Sequence, residues 1–135
     1  MRARGIRCAT DITGFGLLGH VYEMAAGSGV TIRIQSKAVP LLAGAYALVD
    51  MGCIPGASFR NLRYVDPFVQ FADGVDYNLK MLVVDAQTSG GLLLSCPKDQ
   101  APAIVRELQG CGYPSAAVIG EVEKAGDRQR AVIVE

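Results

Sequence analysis

The sequence predicts an α+β fold, in which a single two-layer domain has a mixed or antiparallel sheet with helices packed on one face. Two observations support this fold class. Segments with helical periodicity and short β-branched segments interleave along the chain. The last two predicted strands follow one another like a hairpin, which is not typical of strictly alternating α/β folds. The length of 135 residues indicates one domain over residues 1–135.

The first third of the chain predicts a strand, a helix and a second strand. Residues 6–10 resemble the end of a strand. Residues 14–26 carry two neighbouring rows of apolar side chains at helical spacing, which predicts a largely buried helix with Thr13 as its N-cap. Residues 30–34 alternate and are rich in β-branched side chains, which predicts a strand.

The middle of the chain predicts two helices separated by a long connection. Residues 40–51 predict a helix, because Pro40 suits a first helical turn and a glycine follows the segment. Residues 53–75 are punctuated by proline, glycine and asparagine, which predicts a loop-rich stretch. We expect the aromatic side chains of this stretch to serve packing or an interface. Residues 76–84 predict a short helix.

The last third of the chain predicts three strands and one helix. Residues 92–96 follow a glycine turn and predict a buried strand, and residues 98–110 have the apolar spacing of a helix. Residues 117–122 and 131–134 predict two closing strands. A turn at residues 124–128 joins these two strands in the predicted hairpin.

The composition argues against several classes of function. Thirteen Lys and Arg balance thirteen Asp and Glu, so the net charge is zero, which argues against a nucleic-acid module and against a polybasic membrane-surface protein. Half of the residues are hydrophobic and the mean hydropathy is +0.27, yet no apolar run is long enough to span a membrane. The excess apolar surface predicts contact with another domain or subunit.

The cysteines and the single histidine bear on metal binding and on the cellular compartment. The four cysteines lie far apart and form no CxxC pair, which argues against a zinc site. No apolar segment follows the arginines at the start of the chain, so no signal peptide is predicted. We therefore expect a cytoplasmic protein whose thiols mostly serve as small buried hydrophobic groups.

The first segment that suits a ligand site is residues 9–20, ATDITGFGLLGH. Its glycines match the GxGxxG pattern, but only a short stub precedes Gly14, and the next strand ends at Gln35 instead of an acidic residue, which argues against a dinucleotide site. A glycine-rich helix start can instead bind an anion through its N–H groups and the helix dipole. Asp11 beside such a site is a candidate Mg²⁺ ligand, although spacing alone favours a capping role.

The second such segment is residues 85–94, DAQTSGGLLL. Hydroxyl groups and two glycines before a buried strand suit a backbone that approaches a ligand, and they suit an ordinary turn equally well. Ser89 and His20 are a conceivable nucleophile and base, but no further residue indicates a triad. A lone histidine such as His20 more often has a hydrogen-bonded structural role.

Residues 9–20 and the string QTSGGLL at residues 87–93 together resemble the selenophosphate synthetase (selenide, water dikinase) family. The two strings occur in that family's order and at about its separation, and the resemblance covers nearly the whole chain. TDITGFG is specific to this branch of a superfamily that includes aminoimidazole ribonucleotide synthetase. The resemblance implies the family's C-terminal domain, with the N-terminal domain that holds most of the ATP site absent.

The family converts ATP, selenide and water to selenophosphate, AMP and phosphate. The resemblance implies that Asp11 is this domain's ligand to the Mg²⁺ ions on the ATP phosphates. On weaker grounds it implies that Thr13, Gly14 and Ser89 line the same cleft. It also implies a homodimer that acts on small molecules, with ATP bound mostly by the N-terminal domain.

The chain departs from the family pattern in two respects. Ala86 stands where the family usually has proline, which should change only local rigidity. The family's catalytic cysteine or selenocysteine and its lysine have no counterpart, so we name no catalytic residue and expect this chain to be inactive alone. Two alternatives therefore stay open, namely a stand-alone binding or interaction module and a relative of the purine-pathway synthetases.

Overall fold

The computed structural model describes residue 6, residues 8–125 and residues 130–135. Within these residues the strands are β1 (Cys8–Asp11), β2 (Val30–Ile34), β3 (Val69–Phe71), β4 (Leu92–Ser95), β5 (Gly120–Lys124) and β6 (Val132–Val134). The α-helices are α1 (Gly16–Ser28), α2 (Ala45–Asp50), α3 (Gly56–Val65), α4 (Tyr77–Val83) and α5 (Ala101–Gly110), and a short 3₁₀ helix covers Ser36–Ala38. This mixture of helices and strands confirms the α+β fold class.

Four strands form a mixed sheet in the order β3-β6-β2-β5. β6 runs parallel to both β3 and β2, and Val132 lies opposite Val69 on one side and Ile32 on the other. β5 runs antiparallel to β2, with Val122 opposite Ile32. β1 and β4 pair antiparallel in a separate two-stranded sheet. The described residues therefore contain two sheets, where the sequence predicted one.

The predicted hairpin between the last two strands is wrong. β2 lies between β5 and β6, so these two strands have no hydrogen-bonded ladder with each other. Two short β-branched segments joined by a turn can pair with each other or with other strands, and their own sequence does not distinguish these arrangements. The predicted turn lies partly outside the described residues, because the structure does not describe residues 126–129.

The main core lies between α1 and the four-stranded sheet. Alternate side chains of β2 and β6 enter it, and Ile34, Val132 and Val134 are fully buried. Leu18 and Val21 of α1 are fully buried in the same cluster. Full burial of such aliphatic side chains contributes about 1.5–3 kcal/mol each. This layer fixes the position of α1, whose first turn begins in the first sequence motif.

The ends of α1 depend on backbone conformation more than on capping side chains. Phe15 is the N-cap residue and no side chain caps the first turn, so the predicted capping role of Thr13 is wrong. At the other end Gly29 adopts φ +63°, and its N–H donates to the carbonyl groups of Ala25 and Ala26. A glycine at this position ends the helix without the steric cost that a side chain would add.

α3 and β3 lie within residues 53–75, where the sequence predicted a loop-rich stretch, so that prediction is wrong. The buried side chains of α3 are those of Ser58, Asn61 and Val65. Two of these three are polar, so the core-facing positions of this helix do not form an apolar row in the sequence. Polar groups can be buried here because other elements supply their hydrogen-bond partners.

α2 is shorter than the helix predicted over residues 40–51. It begins at Ala45, after Gly44 with φ +83°, so Pro40 does not lie in its first turn. Glycine readily adopts this left-handed conformation, and it breaks the helical geometry between Pro40 and Ala45. All residues of α2 are at least partly exposed.

The structure also shows how far the cysteines are buried and whether any described helix could span a membrane. Cys53 and Cys111 are exposed and Cys8 and Cys96 are half-buried, so the expectation of mostly buried thiols is wrong. Cys8 lies in β1, Cys53 and Cys96 lie in connections, and Cys111 directly follows α5. Within the residues that the structure describes, no helix is both long enough and apolar enough to cross a membrane.

Candidate functional site

The two-stranded sheet β1–β4 brings the two sequence motifs side by side. Asp11 at the end of β1 lies opposite Leu92 at the start of β4. Beyond these strands the pairing continues, because the N–H of Ile12 donates to the carbonyl of Gly91 at 2.9 Å and the N–H of Gly90 donates to the carbonyl of Ile12 at 3.1 Å. The motifs are about 75 residues apart in sequence, and one continuous backbone ladder joins them in the fold.

The carbonyl group of Thr13 connects the two motifs further. It accepts the N–H of Gly16 at 3.0 Å, which forms the turn before α1, and the N–H of Gln87 at 3.1 Å. A single backbone oxygen therefore fixes the start of α1 relative to the glycine turn that carries Ser89. The interpretation of residues 85–94 as an isolated local turn is incomplete, because its backbone is bonded to the first motif.

Two glycines allow the motifs to pack this closely. Gly16 has φ +68°, and a Cβ atom added there would lie 2.5 Å from the carbonyl carbon of Val84. A Cβ atom on Gly90 would lie 2.4 Å from the carbonyl oxygen of Ile12. Both distances are too short for any side chain, so these glycines serve backbone packing. Gly14, in contrast, has open space around its Cα, which leaves that position accessible to a ligand.

His20 stabilises the turn before α1. Its Nε2 accepts the N–H of Thr13 at 3.1 Å and lies 3.1 Å from the Thr13 Oγ1. These contacts agree with a hydrogen-bonded structural role for His20.

The predicted site residues lie on the two neighbouring motif segments with different exposure. Asp11, Gly14 and Ser89 are exposed, and Thr13 is half-buried. No side chain caps the first turn of α1 beside them, so its N–H groups remain a source of positive potential. Within the described part of the chain, no group of three or more His, Cys, Asp or Glu side chains could hold a metal ion. Asp11 is exposed and belongs to no such group among these residues.

Sequence reasoning missed two α3 residues that support these motifs. The Asn61 Nδ2 donates to the carbonyl of Gly14 at 2.9 Å and to the carbonyl of Val84 at 3.0 Å. The Ser58 Oγ donates to the Asp85 Oδ1 at 2.7 Å. Their spacing of three residues is the signal that could have placed them on one face of a helix.

An aromatic cluster lies beside the start of α1. Tyr22 and Phe68 stack with ring centroids 4.1 Å apart, and Tyr64 lies 5.6 Å from the exposed ring of Phe15. The Tyr64 hydroxyl donates to Glu23 at 2.6 Å, and this bond raises the pKa of Tyr64 to about 12. Two aromatic side chains of residues 53–75, Tyr64 and Phe68, therefore pack in this cluster.

Comparison with known proteins identifies relatives of the whole chain. A family model described as "AIR synthase related protein, C-terminal domain" matches residues 1–133. Selenide, water dikinase from Porphyromonas gingivalis is 47% identical over 134 residues, which are 98% of this chain and 38% of that protein. Selenide, water dikinase 2 from Peptoclostridium acidaminophilum is 41% identical over 128 residues, which are 95% of this chain and 37% of that protein.

Solved structures include relatives of the same fold. The crystal structure of hydrogenase maturation protein HypE in complex with ATP matches 96% of this chain and 32% of that chain, with a TM-score of 0.60 at 21% sequence identity. This likeness supports the fold alone. The chain spans 38% of the length of the Porphyromonas relative.

Proposed function

This chain belongs to the family of AIR synthase related proteins, C-terminal domain, and from that premise we propose that it serves as the C-terminal domain of a selenide, water dikinase. One observation carries the proposal, namely the 47% identity to a selenide, water dikinase over 98% of this chain. The geometry supports it, because the two motifs that resemble this branch lie side by side at the start of α1. The proposed reaction converts ATP, selenide and water to selenophosphate, AMP and phosphate.

The chain's own contribution is one side of a phosphate cleft. Thr13, Gly14 and Ser89 line this cleft in the proposal, at the start of α1 and on the glycine turn bonded to it. The open space around Gly14 supports the assignment. An uncapped helix start provides N–H groups and a positive dipole end toward the phosphate oxygens.

Asp11 is the proposed magnesium ligand of this domain. Mg²⁺ in proteins is commonly held by one or two carboxylates together with phosphate oxygens and water. An exposed carboxylate beside a phosphate cleft fits that mode of binding, and the described residues offer no group of three or more ligands for an all-protein metal site. When bound, the ion would neutralise negative charge on the phosphate oxygens. The remaining ligands would come from ATP and from the N-terminal domain.

Exposed apolar side chains support a partner domain. Phe15 lies within the first motif and Leu92 within the second, and they expose 55% and 62% of their surface. We assign this surface to contact with the N-terminal domain of the enzyme, which would also supply the nucleophile and most of the ATP site. The proposed enzyme is a homodimer in the cytoplasm, and the four free cysteines support a reducing compartment.

A domain exchange tests the function. In the Porphyromonas gingivalis enzyme, the matched segment is replaced by this chain, and selenide-dependent release of AMP from ATP is measured. A matched control carries the corresponding segment of the Peptoclostridium acidaminophilum protein, which is 41% identical to this chain. We expect both chimeras to form AMP and selenophosphate.

Two outcomes of the exchange would contradict the proposal. An active control beside a folded but inactive chimera with this chain would favour a binding or interaction module. A chimera that uses a formylglycinamidine-type substrate and does not respond to selenide would favour a relative of the purine-pathway synthetases. Circular dichroism and sedimentation of both chimeras verify that they are folded and dimeric.

A further inference from the structure

α3 contacts both motifs through one buried side chain. Asn61 is 7% exposed, and its Nδ2 donates to the carbonyl oxygens of Gly14 and Val84 at 2.9 and 3.0 Å. Gly14 belongs to the first motif, and Val84 immediately precedes the second. One amide group therefore links the two segments.

The chemistry of this position is specific to an asparagine. Two backbone carbonyls can only accept, so their common partner needs two N–H donors on one atom, and the Asn61 amide provides them. An aspartate of the same shape would present oxygens to both carbonyls and repel them. A leucine would keep the volume of the side chain and leave both carbonyls without this partner.

Ser58 acts on the same segment one helical turn earlier. Its hydroxyl is fully buried and donates to the carboxylate of Asp85 at 2.7 Å. α3 thus holds the start of the second motif at two successive residues, Val84 and Asp85. Gly16 packs against this same stretch of backbone, where a Cβ atom would lie 2.9 Å from the Asp85 carbonyl oxygen. Residues 84–85 are therefore hydrogen-bonded by α3 and packed closely against Gly16.

We infer that Asn61 is a positioning residue, which holds Gly14 at a fixed distance from the turn that carries Ser89. Its amide nitrogen is bonded to two backbone carbonyls, so it acts through the backbone around both motifs. The inference rests on the proposed function for its effect on turnover. The hydrogen-bonded geometry itself does not depend on that function.

Amide hydrogen exchange of the 135-residue chain tests the geometric part. The variants Asn61→Leu and Asn61→Ala are compared with Asn78→Ala, a control that removes an asparagine amide bonded to Asp50 and to Tyr46 at the surface. Reporter amides are Gln87 and Gly90, which donate to the first motif. We expect both to exchange at least about tenfold faster in the Asn61 variants, because the two segments separate locally.

Reference amides distinguish positioning from general destabilisation. Ile32 and Ala72 donate to carbonyls at the four-stranded sheet, and their exchange should change no more than in the Asn78→Ala control. Equal acceleration of all four amides would overturn the inference, because it would reduce Asn61 to a core-packing residue. Unchanged exchange of Gln87 and Gly90 would overturn it as well.

Steady-state kinetics of the domain-exchange enzyme test the effect on turnover. We expect Asn61→Leu to lower kcat at least about tenfold with little change in KM for ATP, because displaced cleft groups lose their alignment. An unchanged kcat beside accelerated exchange at Gln87 and Gly90 would overturn the positioning role. If the exchange enzyme with the unchanged chain has no selenide-dependent activity, the proposed function fails, and hydrogen exchange still decides the geometry.

Discussion

The two sheets of this chain are stabilised in different ways. The four-stranded sheet has alternate side chains fully buried against α1, as Ile34 and Val134 show. The two-stranded sheet β1–β4 has no fully buried residue in either strand. It is positioned instead by backbone hydrogen bonds, by the glycines that allow close approach and by the amide of Asn61.

The four-stranded sheet therefore mainly determines stability, whereas the region around the two-stranded sheet carries the candidate site residues. Burial of aliphatic side chains provides most of the free energy of a small domain, but it removes side chains from solvent and ligands. Backbone hydrogen bonds can fix the position of a segment while its side chains stay exposed, as those of Asp11 and Ser89 are. Substitutions in the two regions should therefore affect different measurements.

Asp11→Asn should have the largest effect on activity and almost none on folding. We expect selenide-dependent AMP release by the domain-exchange enzyme to fall at least about 100-fold, because the carboxylate charge next to the phosphates is lost. The exposed Asp73 in the turn before α4 provides a matched control, Asp73→Asn. Retained activity in Asp11→Asn would refute the magnesium assignment and leave the site without its charged residue.

Leu18→Ala should have the largest effect on stability. Leu18 is fully buried between α1 and the sheet, and removal of its side chain leaves a cavity that costs about 3 kcal/mol. Urea unfolding of the chain measures this loss. Leu42→Ala is the control, because Leu42 is 85% exposed and its loss should cost far less. Equal effects of the two substitutions would contradict the placement of the core.

Gly16→Ala tests whether the close backbone contact at this position excludes a side chain. With φ +68° and a Cβ position 2.5 Å from the Val84 carbonyl carbon, the alanine should destabilise the chain by about 2–3 kcal/mol. Gly14→Ala, with open space around it, should change the free energy of unfolding by less than about 1 kcal/mol. If thermal unfolding shows the same loss for both variants, steric contact at Gly16 is not the cause.

The smallest expected effect concerns Tyr64. Its bond to Glu23 raises the pKa of Tyr64 to about 12, so the folded state favours the neutral phenol. The stabilisation is complete below the ordinary tyrosine pKa of about 10 and is lost as the pH rises from there through about 12. Tyrosinate absorbance measures the titration, with Tyr64→Phe to assign it. Glu23→Gln should lower the pKa toward its ordinary value, and an unchanged titration would show that Glu23 is not the cause.

Elements whose buried side chains are mostly apolar were predictable, and an element with polar buried side chains was not. α1 and β2 agree with their predictions to within two residues, because their buried side chains are almost all apolar. α3 was not predicted, because Ser58 and Asn61 occupy core-facing positions and find their partners in segments far along the chain. The two motifs were recognised, but their contact depends on strand pairing that neither motif encodes alone.

The sequence by itself determined the α+β class, the buried helix and the two glycine-rich motifs, since each of these depends on residues close together in the chain. It also carried the resemblance to the selenide, water dikinases through short strings of residues. The tertiary structure decided the strand order, the separation into two sheets and the hydrogen bonds of Asn61. These features depend on which distant backbone groups face each other, and that is fixed only when the core has formed.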